Sequence, residues 1–222
     1  FVFFELKRKY LCLKSLSLIR VFQMLRVSLL FSLILLFVLP TYAVKPSNSY
    51  KDPRDKQKYR TIKVGDRIWF ADNLNYKMDG SFCYKEDESN CQAYGRLYTW
   101  DAAIKACPVG YHLPTHGDFE SLWQAAGADF NAAYLLKAEY GWSGETNGND
   151  TLKFSAMPAG NRFDDETYGN LSKFAFFWSS EASTEKQNAR VWYMTSKSMA
   201  FSFMNKPKIY GFSVRCVQSS KK

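Results

Sequence analysis

The chain has 222 residues, 30 Lys and Arg against 21 Asp and Glu, a formal net charge of +9, and 17% aromatic residues. The positive charge is scattered, which excludes the concentrated basic face that a nucleic-acid partner requires. The aromatic load suits a β-rich domain, because aromatic and β-branched side chains fill pleated, half-buried surfaces.

The first residue is Phe and the first methionine is Met24. Arg26 precedes VSLLFSLILLFVL, an apolar run of 13 residues at 27–39, and PTYA then sets Thr41 and Ala43 in an A-x-A-like arrangement. A bilayer span needs about 20 apolar residues. Residues 24–43 therefore read as a cleaved signal peptide that meets the membrane only during export; an uncleaved N-terminal anchor is the alternative. Residues 1–23 read as upstream translation outside the fold. That segment holds Lys7, Arg8, Lys9, Lys14 and Arg20 against Glu5, and with Arg26 it accounts for five of the nine net charges. The exported chain from Val44 onward is left at +4, a mild excess that gives no support to nucleic acid and leaves a weak attraction to anionic surfaces. Its length suffices for one domain with a real core.

Residues 44–58 are polar, carry Pro46 and Pro53, and read as a flexible linker ahead of a domain over 59–219. YRTIKVGDRIWF gives two β-type runs around Gly65 and Asp66; glycine first in a two-residue loop suits a type II′ hairpin. Over 95–108, Leu97, Trp100, Ala103, Ile104 and Cys107 recur at spacings of three and four, which predicts a helix stopped by Pro108. Thr115 is the expected N-cap of a second helix, with Asp118 completing a variant capping box and Gly127 ending it. Phe119, Leu122, Trp123 and Ala126 line its apolar side. Turn residues dominate from 128 to 180, which reads as a long irregular middle. ARVWYMT (189–195), MAFSFM (199–204) and GFSVRCV (211–217) predict a meander of three antiparallel strands. In the last, Phe212, Val214 and Cys216 share the buried face, and Ser213, Arg215 and Val217 point the other way.

Four cysteines follow Met24: Cys83, Cys91, Cys107 and Cys216. An even count in an exported chain reads as disulfides, with three connectivities open. Cys83 and Cys91 bracket the short acidic loop YKEDESN and are natural partners, which leaves Cys107 with Cys216. A structural zinc site would show closer Cys or His pairs. His112 and His116 have Pro114 between them and read as ordinary structural or surface residues.

YGRLYTWDAAIKACPVGYHLP, FSAMPAGNR, FWSSEA and YGFSVRCV, in that order, resemble the Fibrobacter succinogenes major paralogous domain, and the similarity runs from about residue 59 to 217. One departure is Tyr111, where that family usually has Trp. The arrangement also resembles the C-type lectin-like fold: an α+β domain, two helices packed on small antiparallel sheets with long irregular loops, stapled by disulfides. The resemblance implies a bacterial secreted or surface protein and attaches no general activity to it. The wider fold includes calcium-dependent lectins, whose E-P-N or Q-P-D and W-N-D motifs are absent here, and formylglycine-generating enzymes, whose free cysteines the pairing above leaves no room for.

Three features bear on function. Trp142, Tyr168 and Trp178 sit in the loops, where flat rings beside Asn and Asp suit sugar faces; the plainer alternative is that these rings plug the core, above all Trp178 after FAFF. Oxygen ligands for calcium are offered by Asn147, Asn149 and Asp150, or by Asp164, Asp165 and Glu166, without EF-hand spacing; Glu86 to Glu88 read as a solvated turn. Paired carboxylates for glycoside hydrolysis have no signature context, and no G-x-S-x-G, P-loop or H-E-x-x-H occurs. The expectation is a non-catalytic binding or adhesion module whose partner is a glycan or another surface protein. A formylglycine-generating type of enzyme and a structural envelope or matrix protein are the alternatives.

Overall fold

The computed structural model describes residues 48–144 and 146–219. The expected signal peptide and the residues before it lie outside this range. Among the described residues the domain mixes four short α-helices and one 3-10 turn (Tyr84–Glu86) with four small sheets and is closed by two disulfides.

The N-terminal linker is shorter than its polarity suggests. β1 (Asn48–Lys51) pairs antiparallel with β2 (Lys58–Val64), Tyr50 opposite Tyr59. The connecting turn is held by Asp52, which is fully buried and whose carboxylate accepts from the Arg54 amide (3.0 Å) and guanidinium (2.7 Å). A short polar side chain that bonds two residues onward makes a turn of a sequence that otherwise reads as linker. β2 and β3 (Arg67–Phe70) form the expected hairpin, Val64 opposite Arg67, with Gly65 at φ 57°. β3 continues to β12 (Val217–Gln218) and β12 to β6 (Tyr111–His112), giving an antiparallel sheet in the order β1-β2-β3-β12-β6.

The loop between Cys83 and Cys91 is not merely a solvated turn. Asp87 caps a helix, α1 (Glu88–Tyr94), by accepting from the Ser89 amide at 2.8 Å. The strands β4 (Ser81–Phe82) and β5 (Leu97–Tyr98) pair beside it. The predicted 95–108 helix is shorter: Gly95 is left-handed (φ 76°), β5 follows, and α2 (Trp100–Ala106) begins after its N-cap Thr99. Its buried face is Ala102, Ala103 and Ala106, and Ile104 is 41% exposed rather than inward. Small residues let this helix pack close, which rotates the larger side chain outward. α3 (His116–Ala125) carries the expected capping box, the Asp118 amide donating to Thr115 Oγ1 (3.0 Å) and the Thr115 amide to Asp118 Oδ2 (2.9 Å).

The middle expected to be irregular holds α4 (Ala132–Leu136), the hairpin β7 (Ala159–Arg162) and β8 (Tyr168–Leu171), and the nine-residue β9 (Phe174–Ala182). β10 (Asn188–Thr195) and β11 (Ser198–Pro207) pair as expected, but their third partner is β9, in the order β11-β10-β9. The segment 211–217 instead threads between neighbours, meeting Tyr98 through Phe212 and Phe177 through Ser213 before entering β12.

The reason lies in burial. Phe177 of β9 packs in a core around Trp69, Phe119, Phe154 and Trp192, and Phe176 and Trp178 pack in a second core around Tyr59, Phe70, Tyr98 and Phe212. A strand covered on both faces shows a continuous apolar run instead of alternation, so FAFFW gives no period-2 signal. Residues 211–217 are likewise buried on both sides. Cys216 is buried as expected and bonded to Cys107 at the end of α2, and Cys83 is bonded to Cys91.

Candidate functional site

The loop residues singled out in the sequence do not form a common site. Trp142 is buried, its indole N–H donating to the Ala156 carbonyl at 3.1 Å. Asn147 Oδ1 accepts from the Trp142 amide (3.2 Å), and Asn149 Oδ1 accepts from the Thr151 amide (3.2 Å). Asp150 is buried, and its two oxygens accept from the Ser155 amide and hydroxyl, both at 2.7 Å. These side chains close the 142–155 loop upon itself, which is local structural work. Tyr168 lies elsewhere, packed on Tyr84, with its hydroxyl on Glu86; burial first, and then the Glu86 carboxylate, push the phenol up to about 12. Trp178 is fully buried and donates to the Tyr98 carbonyl at 2.7 Å. Trp142 and Trp178 act as plugs, the plainer of the two readings offered for these rings, and Tyr168 is half-buried.

The cause is visible at Lys137, also fully buried. Its ammonium donates to the Thr195 (2.7 Å), Ser198 (3.0 Å) and Thr146 (3.2 Å) carbonyls and sits 4.5 Å from the Trp142 ring centre. Burial pulls it down to about 8. The lysine thus fastens the Trp142 loop to the turn of the β10–β11 hairpin.

Of the other oxygen-rich stretch, Asp165 is an exposed turn residue that accepts from Thr167, and Glu166 pairs with Arg162 at 3.1 Å. Among the described residues one group of three ligand-type side chains converges, Cys83, Glu88 and Cys91, within 4.8 Å, and its two sulfurs are spent on the disulfide. His112 has a structural role: its Nε2 lies 3.0 Å from Asp118 Oδ2. Burial alone would raise the Asp118 carboxyl; hydrogen bonds from His112 and Thr115 and the nearby Arg67 outweigh it and hold the group down at about 2.

The structure offers a different site. An open cleft of about 430 Å³ lies between α3, the loop after it and the β10–β11 hairpin. Trp192 and Phe201, both buried, are its floor, and Trp123, Phe130 and Phe203 are its walls. Phe130 is 77% and Phe203 50% exposed, so both rings are accessible to a ligand in the cleft. Glu120 and Asp129 stand at the rim.

Each part is set by local structure. The α3 capping box fixes where the helix begins, and three-to-four spacing then puts Glu120 and Trp123 on the flank beside its buried stripe of Phe119 and Leu122. Period-2 alternation puts Phe201 and Phe203 on one face of β11; Phe201 is buried there and Phe203, further along the strand, stays half open. The Trp192 indole can only donate, so its contact with His116 Nδ1 (3.1 Å) makes that nitrogen the acceptor. The imidazole proton then resides on Nε2, which faces Glu120 Oε1 at 3.3 Å and orients that carboxylate. The ring of His116 also packs edge-on against Phe203, centroids 4.7 Å apart, and its amide donates to Glu181.

Sequence reasoning missed this cleft because its members serve regular patterns: Trp123 reads as part of a helix stripe and Phe203 as part of a strand. Phe130, a large apolar residue alone in a turn-rich segment, was the one local anomaly.

The fold and the cleft define a small disulfide-stapled α+β domain that offers a preformed aromatic recess. The chain belongs to the Fibrobacter succinogenes major domain family, whose model matches residues 62–218. Membership points to a bacterial surface-associated module. No curated protein and no solved structure matches the chain.

Proposed function

We propose that this chain is a non-catalytic binding or adhesion module of the bacterial cell surface, that its ligand is a glycan, and that the glycan seats in the cleft between α3 and the β10–β11 hairpin. The observation that carries this reading is that two exposed rings, Phe130 and Phe203, line one recess together with the half-buried Trp123 and with Glu120 and Asp129. Flat rings suit the C–H faces of a pyranose, and carboxylate oxygens accept its hydroxyls. Ligand sites are concave, mostly apolar and furnished with few polar groups, and this recess has that balance.

Two further points support the wider reading. Two disulfides fit a protein that matures outside the cytoplasm, in line with the export signal read at 24–43. A bridge from the end of α2 to the last strand, with helices on small antiparallel sheets, supports a fold of C-type lectin-like type. The contacts proposed need no calcium.

Titration of a glycan panel by intrinsic Trp fluorescence, with and without chelator, tests the function. Binding should survive chelation and fall about two- to tenfold in Trp123→Ala and in Phe203→Ala, the loss of one stacking ring each. Trp142→Ala, if it folds, should not change affinity beyond its effect on stability. No binding by the parent at any concentration, or full binding by Trp123→Ala, rejects the cleft.

A further inference from the structure

Resting on the reading that the cleft seats a sugar, we infer that the sugar it takes carries a free amine, and that the cleft selects protonated amino-sugar units over neutral, N-acetylated or acidic ones. Across the chain Lys and Arg outnumber Asp and Glu by 30 to 21. In the lining of the cleft the sign reverses: its two charged residues are Glu120 and Asp129, with no Lys, Arg or His among them.

The rings add to this. An aromatic face carries negative potential, and a cation within about 6 Å of a ring centre is attracted to it, most strongly where water is partly excluded. Trp123, Phe130, Trp192 and Phe203 surround one recess. A neutral sugar uses such rings through dispersion and weak C–H contacts, whereas an ammonium group on the sugar uses the negative face of their quadrupole as well. The carboxylates then supply charge-assisted acceptors. Glu120 is held for this by His116, and Asp129 keeps one oxygen free of the bond its Oδ1 accepts from the Asn131 amide (2.7 Å). The Arg190 guanidinium, 5.0 Å over Phe203, and the His116 ring at its edge touch a wall from outside and do not line the recess. A uronic acid or sialic acid brings a third negative charge to this rim and is disfavoured for the reason that favours the amine.

The test compares four oligosaccharides of equal length on the intact protein by calorimetry: β-linked glucosamine, its N-acetylated form, the glucose counterpart and a galacturonate, at a pH where the amine is protonated. The glucosamine oligomer should bind about tenfold more tightly than the acetylated and glucose forms, the galacturonate should be weakest, and the preference should shrink with added salt. Glu120→Gln with Asp129→Asn, both at exposed positions, removes the charge and keeps a carbonyl acceptor at each place, so it should cut the preference for the amine several-fold while weakening glucose-oligomer binding much less. If the acetylated or glucose oligomer binds as tightly as the amine, or the double variant keeps the preference, the charge inference falls and the cleft survives as a neutral-sugar site. If no oligosaccharide binds and Trp123→Ala changes nothing, the glycan reading itself falls.

Discussion

The two disulfides close loops of very different size, and this sets a quantitative test. Cys107 and Cys216 are 109 residues apart, and Cys83 and Cys91 are 8 apart. In the chain-entropy account a cross-link stabilises by restricting the unfolded state, which gives about 4.8 kcal/mol for the long loop and about 2.5 kcal/mol for the short one. The paired variants Cys107→Ala with Cys216→Ala, and Cys83→Ala with Cys91→Ala, leave no thiol stranded from a broken bridge. Cys83, Cys91 and Cys216 are buried and Cys107 is half-buried, so the packing lost on truncation is comparable in both. The difference of roughly 2 kcal/mol between the variants is therefore the loop term. Urea unfolding without reductant measures it; with a slope of about 2 kcal/mol/M, the long-loop variant should unfold about 1 M earlier than the short-loop one. Equal midpoints, or the reverse order, would refute the argument that the long bridge restrains the unfolded chain more than the short one.

Three other outcomes are expected. Arg215 is fully buried and donates to Asn73 Oδ1 (2.6 Å) and to the carbonyls of Phe70 (3.2 Å), Phe154 (2.6 Å) and Ser155 (2.9 Å), while burial pulls its guanidinium down to about 9. Arg215→Met strands those acceptors and should cost about 3–5 kcal/mol by denaturant melt; a neutral result would show that the network contributes nothing. Asp118 has its carboxyl lowered from 3.8 to about 2. Its stabilisation is full above pH ~4, where the unfolded state is also ionised, and disappears as pH falls through 2, a loss of about 2 kcal/mol that melts of the parent at pH 5 to 2 should show and those of Asp118→Asn should not. Gly160 sits at φ 67°, where an added Cβ would meet the Gly169 carbonyl oxygen at 2.4 Å. Gly160→Ala should therefore lower stability by more than about 2 kcal/mol, whereas Gly65→Ala, in open space at φ 57°, should cost about 1 kcal/mol; matching melts would contradict the steric account.

The sequence by itself determined what is local or covalent. The Gly65 hairpin, the Thr115 capping box and the β10–β11 pairing follow from spacings of a few residues, and the Cys107–Cys216 bond from the four cysteines that follow Met24 and one short-range pair among them. The match of 62–218 to its family likewise rests on contiguous motifs such as GFSVRCV. Elements whose neighbours are distant in the chain escaped. β9 has no alternation because both its faces are covered, and α1 needs the Cys83–Cys91 clamp and the Asp87 cap to hold seven residues helical. Trp142 and Asp150 look like site residues in a list of loop residues, and only the packed structure shows them spent on Ala156, Ser155 and the Lys137 cage. The cleft is the extreme case. Trp123, Phe130 and Phe203 come from a helix, a loop and a strand, and what brings them together is that the fold sets all three in the lining of one recess, a geometry that no spacing along the chain encodes.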